Sequence, residues 1–77
     1  FMSEVEWLRN FGNALTEAME YTNTEQAELA DILGMSQSSI SRLMNGQQMP
    51  DIRTILLIAH ELDWHVDDLT NFGDYVF

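Results

Sequence analysis

Between Ser36 and Gln48 the chain sets out Gln37, Ser38, Ser39, Ser41, Arg42, Asn45 and Gln47, with only Ile40, Leu43, Met44 and Gly46 interrupting them. Amides and hydroxyls both donate and accept hydrogen bonds, and a guanidinium donates several in one plane. A helix that had only to cover a core could carry any polar residues here, so this choice points to recognition by hydrogen bonding. It does not point to catalysis. The serines come without a nucleophile-elbow pattern or a glycine-rich phosphate loop, and the carboxylates elsewhere read as a solvated face, with no isolated acid–base pair among them. Metal chemistry has no better support. The chain has no cysteine, and His60 and His65, set among Asp63, Asp67 and Asp68, are five residues apart, a spacing that does not share a helical face. The expectation is a binding protein, not an enzyme, with no metal and no cofactor.

Charge sharpens this. The 77 residues carry thirteen acids against three arginines, a formal net charge of -10. Nonspecific affinity for nucleic acid comes mainly from lysine and arginine displacing counterions from phosphate, so the total opposes such binding. The distribution does not. No acid falls between Ile32 and Pro50, a window that carries +1 while the remainder carries -11. Local charge decides what one face of a protein can approach.

The length sets one domain, residues 1–77, with a core only just large enough to hold a fold unaided. The longest apolar run, Ile55 to Ala59, is far short of a membrane span, and no basic-then-apolar signal opens the chain. With no cysteine to form disulfides, a reducing cytoplasm is the expected compartment. Phe1 ahead of Met2 reads as an extra residue before a natural start, and the apolar tail reads as a natural end.

The side chains from Ser36 onward need a rigid support, and the surrounding periodicity supplies helices. Ser3 with Glu6 is a capping-box pair that starts a first helix at Glu4. Val5, Leu8, Gly12, Leu15 and Met19, beside Trp7, Phe11, Ala14 and Ala18, give it a broad buried face until it fails near Tyr21. A second helix runs from Glu25 or Gln26 to Leu33, with Ala27, Leu29, Ala30, Ile32 and Leu33 as interior candidates and Gly34 as its left-handed cap. Ser36 caps a third helix from Gln37 to about Met44, seated by Ile40 and Leu43 and closed by Gly46. Asp51 caps a fourth, in which Ile52, Ile55, Leu56, Ala59 and Leu62 keep helical spacing. It is the most hydrophobic element and the expected centre of the core. Val66 to Leu69 suggests a short fifth helix.

A helix ending at glycine, a short turn and a second helix with an apolar residue at its fourth position is the arrangement of a helix-turn-helix over residues 26–46. Ala30 is small where the two helices cross, Gly34 makes the turn, and Ile40 and Leu43 wedge the second helix onto the core. With QAELA, LGMSQSSIS, NG and the trailing apolar helix with LDWHVDDL, the stretch from Phe11 to Leu69 resembles the Cro and phage-repressor family of helix-turn-helix transcription regulators. The resemblance implies an all-α, compact five-helix bundle whose third helix lies in the major groove of a double-stranded DNA operator, usually as a dimer. It implies base reading by Gln37, Ser38, Ser39 and Arg42. It also implies phosphate contacts from Gln26, Ser41, Asn45 and Gln47, with main-chain groups at Gly46 and Gln47 sharing the grip. Glu25 departs from the family, which usually places a serine or threonine cap there, and the loop from Gln47 to Pro50 lacks the family's frequent cations.

Residues 70–77 form an apolar tail in which Phe72, Tyr75, Val76 and Phe77 exceed what covering one core requires. A second copy is the economical partner, and a homodimer would hold two recognition helices about 34 Å apart, one turn of B-DNA. A different class of function fits the acidic total: a protein-binding module on the same fold, such as an antitoxin or antirepressor that sequesters a basic partner.

Overall fold

The computed structural model describes residues 3–63. Over them the chain forms α1 (Glu4–Thr22), α2 (Gln26–Leu33), α3 (Gln37–Met44) and α4 (Ile52–Glu61), with no strand among the described residues. The fifth helix expected over Val66–Leu69, and the tail with Phe72, Tyr75, Val76 and Phe77, lie outside them. Among the described residues the all-helical architecture rests on four helices, which leaves the expected count of five unsupported.

α1, α3 and α4 each begin where an N-cap side chain satisfies one of the first backbone donors. Ser3 Oγ accepts the Glu6 N–H at 3.2 Å while Glu6 Oε1 accepts the Ser3 N–H, closing the expected capping box. These bonds from Ser3 hold the Glu6 carboxyl below its ordinary pKa. Asn23 ends α1 in the left-handed region at φ 57°, a conformation its short polar side chain tolerates. At α4 the Asp51 carboxylate accepts the Thr54 N–H at 2.7 Å, and this bond likewise lowers its pKa.

α1 supplies the largest share of the interior. Trp7, Phe11, Leu15, Ala18 and Met19 are buried along it, and the Trp7 and Phe11 rings stack with centroids 5.6 Å apart. They meet Leu29, Ala30 and Leu33 of α2, Ile40 and Leu43 of α3, and Ile55, Ile58, Ala59 and Leu62 of the α4 segment. The most extensive packing is α1 on α3, whereas α4 meets α2 over a smaller contact. The core is thus centred on α1, not on α4 as its hydrophobicity suggested.

Several apolar side chains expected inside are outside. Val5 is 63% exposed, Ile32 44%, Ile52 64% and Leu56 53%, and Ala27 is also exposed. A helix packed on one neighbour hides a narrow stripe. In α4 that stripe is Ile55, Ile58, Ala59 and Leu62, at spacings of three and four, which leaves Ile52 and Leu56 beside it. Val5 lies in the first turn of α1, two residues before the first buried position, Trp7.

Gly12 explains how closely α1 and α3 approach. A Cβ there would lie against the Met44 carbonyl oxygen and 2.9 Å from that of Leu43, both backbone atoms that cannot swing aside. Gly12→Ala should therefore destabilise the domain by about 1–3 kcal/mol through overpacking. Urea denaturation checks this, and an unchanged midpoint would contradict the close approach.

The Asp51 cap gives a pH dependence. Because its folded pKa is depressed, its contribution is fully present above the ordinary value of 3.8 and is lost as pH falls through the lower native value. Asp51→Asn keeps a capping oxygen without titrating. Melting temperatures followed downward from about pH 5 should fall less for this variant than for the unsubstituted chain. Equal acid sensitivity would remove Asp51 as a source.

Candidate nucleic-acid interface

α3 is built to present one face. Ile40 and Leu43 are fully buried beneath it. Ser36 fixes its start, accepting the Ser39 N–H on its hydroxyl at 3.1 Å, as expected of a serine N-cap. The end is fixed by main-chain bonds. The Gly46 N–H donates to the Leu43 carbonyl at 3.2 Å and the Gln47 N–H to the Arg42 carbonyl at 2.8 Å, with Gly46 in the left-handed region at φ 69°.

Those last bonds engage the main-chain donors at Gly46 and Gln47 in closing α3. Asn45 and Gln47 are both exposed, and Asn45 Nδ2 reaches Ser41 Oγ only at 3.5 Å, leaving its amide loosely held.

The base-reading candidates divide into two kinds. Gln37 and Ser38 are exposed at the start of α3, with no side-chain hydrogen bond to the described residues. Ser39 and Arg42 are engaged. Ser39 is half-buried, and its hydroxyl accepts from Ser36 Oγ at 3.1 Å and from Arg42 Nη2 at 3.1 Å. Arg42 Nε donates to Gln48 Oε1 at 3.0 Å. The guanidinium is thereby held between the helix and the following loop, on an exposed side chain that has donors to spare.

Gln48 is a residue of this cluster that sequence reasoning missed. It lies six residues from Arg42, beyond the helix end, where no periodicity relates the two. Only its place in a polar loop hinted at a role.

Gln26 is exposed as the first residue of α2. Glu25 occupies the N-cap without making a side-chain cap hydrogen bond, so the first donors of α2 have no side-chain partner from it. The positive end of the helix dipole is favourable to an anion at Gln26, and the Glu25 carboxylate offsets it.

Residues 22–69 match the model of a helix-turn-helix family. The chain belongs to the helix-turn-helix family of Cro and phage-repressor type. Its members are DNA-binding transcription regulators, generally without enzymatic activity, and this chain is such a regulator. The match starts at Thr22, so nearly all of α1 precedes it, although likeness to the family was expected from Phe11 onward. Among solved structures, the chain is similar to the restriction-modification controller protein C.AhdI from Aeromonas hydrophila. The two are 29% identical over 80% of this chain and 94% of that one, with a TM-score of 0.74. A helix-turn-helix transcriptional regulator from Vibrio cholerae superposes with a TM-score of 0.79 at 19% identity, which speaks to the fold alone. That alignment covers 94% of this chain and 40% of the other. No curated protein matches the sequence. No helix among the described residues is long and apolar enough to cross a membrane.

The cap of α3 gives a direct test. Ser36→Ala should cost about 1 kcal/mol of stability, the usual loss for a serine N-cap. Urea unfolding measures it, and a loss near zero would show that the Ser36 hydroxyl does not secure α3.

Proposed function

We propose that the chain is a repressor of phage or mobile-element type that reads an inverted-repeat operator with α3 in the major groove. The observation that carries this is the outward face of α3. Gln37 and Ser38 are left unused by the fold, and Arg42 is aimed from a stretch that contains no acid. Family membership and the likeness to a restriction-modification controller protein support a regulator.

In this reading Gln37 takes the lead, because an amide can donate to N7 and accept from N6 of adenine together. Ser38 meets a base edge beside it. Ser39 contributes at the same groove and directs Arg42 toward guanine or phosphate. Gln26, Ser41, Asn45 and Gln47 hold the backbone and set the register without reading sequence.

One domain measures 33 × 22 × 20 Å, about one turn of B-DNA along its longest axis. A homodimer therefore fits two adjacent half-sites, and the apolar tail with Phe72, Tyr75, Val76 and Phe77 supplies a contact for it. Two copies sharing one operator also offset the small number of cations in each. The cytoplasm is the compartment in which such a regulator meets its DNA.

A second reading, an antitoxin or antirepressor that sequesters a basic partner, draws on the acids exposed along α1 and α2, among them Glu4, Glu17, Glu20, Glu25 and Glu28. Selection of bound sequences from a random duplex pool at moderate salt separates the two. Enrichment of an inverted repeat supports the repressor, whereas no enrichment with tight capture of a basic protein supports the sequestering module.

On the selected site, Gln37→Ala should cost about 1–3 kcal/mol while leaving nonspecific affinity nearly unchanged. Equal losses on every duplex would remove Gln37 as a base reader.

A further inference from the structure

The chain has three cations, Arg9, Arg42 and Arg53, and only Arg42 lies within the helix-turn-helix. The fold gathers the other two around the loop that leaves α3. Gly46 packs directly on α1 at Arg9: a Cβ on Gly46 would lie 3.2 Å from the Arg9 Cα and 3.3 Å from its amide nitrogen. Arg9 precedes Gly12 by three residues, one helical turn, so it emerges on the flank of α1 that meets the end of α3. Its side chain is exposed, and its backbone lies against Gly46.

Arg53 reaches the same loop from the opposite end. It is exposed in the first turn of α4 and lines a cleft of about 270 Å³ with Gly34 and Met35 of the turn and with Gln48, Pro50 and Asp51. Gln48 is the residue that holds Arg42. A connected path therefore runs from the outer face of α3, through Gln48, to Arg53.

The acids nearest these cations each hold a helix cap and also act electrostatically on the neighbouring arginine. Glu6, one turn before Arg9, accepts from the N–H and hydroxyl of Ser3. Asp51, two residues before Arg53, accepts the Thr54 N–H. Neither Arg9 nor Arg53 has an ion pair among the described residues. Their guanidinium groups remain available to the planar, bidentate geometry that suits a phosphate.

We propose that Arg9 and Arg53 grip DNA phosphates at the two ends of the loop leaving α3, forming with Arg42 a three-cation clamp. This rests on the reading that α3 enters the major groove. It assigns a DNA-contacting role to α1, a helix that lies almost wholly outside the family match, and places every positive charge of the chain on the face turned toward the polyanion. A protein of net charge -10 then meets DNA through the part of its surface where its cations gather.

The test is the salt dependence of affinity, read by fluorescence anisotropy on a duplex selected from the random pool. The slope of log affinity against log salt falls by about 0.9 for each phosphate contact removed, and by about 1.8 where two protomers bind. Arg9→Gln and Arg53→Gln should each flatten the slope by that amount and leave the selected sequence unchanged. Arg9→Lys and Arg53→Lys, which keep the charge, should restore most of it. Melting curves confirm that each variant is folded. If the unsubstituted chain binds a selected duplex and either glutamine variant keeps the full slope, the clamp is overturned while operator reading stands. If the unsubstituted chain selects no sequence, operator reading fails and the clamp falls with it.

Discussion

The structure depends most on the close approach of α1 and α3 at Gly12. α3 has only eight residues, too few to hold helical form in water by its own hydrogen bonds. Its geometry is imposed from outside. The Leu43 and Met44 carbonyls press onto α1 where Gly12 offers no side chain, and one turn away the Gly46 backbone rests on Arg9. Ile40 and Leu43 are sunk completely between the helices. With Ser36 fixing the other end, α3 becomes a rigid extension of α1. Any shift of its axis would have to move buried side chains and backbone together.

That rigidity lets the outer face do something other than hold the fold. Gln37 and Ser38 make no side-chain hydrogen bond to the described residues, so they keep their rotamer freedom until a partner fixes it. Arg42 has already given up part of its freedom through Ser39 and Gln48. Ordering a long side chain at an interface costs about 0.5–1.5 kcal/mol, and a side chain ordered beforehand avoids much of that cost. The same restraint fixes where its positive charge sits. The guanidinium is thus a preset element of the surface and the leading amide an adaptable one.

Most of the helix boundaries could be read from the sequence because the signals were local. Ser3 with Glu6, Ser36 and Asp51 each satisfy donors three residues away, and Gly34 ends α2 at φ 68° as a left-handed cap. Facing was harder. The apolar spacing of Ile52 and Leu56 is as helical as that of Ile55 and Ala59, and nothing in a single sequence says which of two adjacent stripes meets a neighbour. The centre of the core was misjudged for the same reason: α4 is the most hydrophobic helix, yet it exposes Ile52 and Leu56, whereas α1 buries Trp7, Phe11, Leu15, Ala18 and Met19 along its length. At the site, Gln37, Ser38 and Arg42 were legible because they recur along one helix. Gln48, Arg9 and Arg53 were not, since their proximity to the end of α3 depends on tertiary packing across loops.

The division between inner and outer residues bears on how such a domain can change its target. Replacing Gln37 or Ser38 removes no internal hydrogen bond, so sequence preference at those positions can alter with little effect on stability. Gly12, Ile40 and Leu43 have no such latitude, because each occupies space that another atom would otherwise fill or leave empty. Ser39 and Gln48 lie between these extremes. Both are partly exposed and contribute little to the core, yet each positions Arg42, so a change in either redirects a guanidinium it does not replace. In the proposed reading, specificity is therefore set at two levels, by the side chains that touch the partner and by the neighbours that aim them.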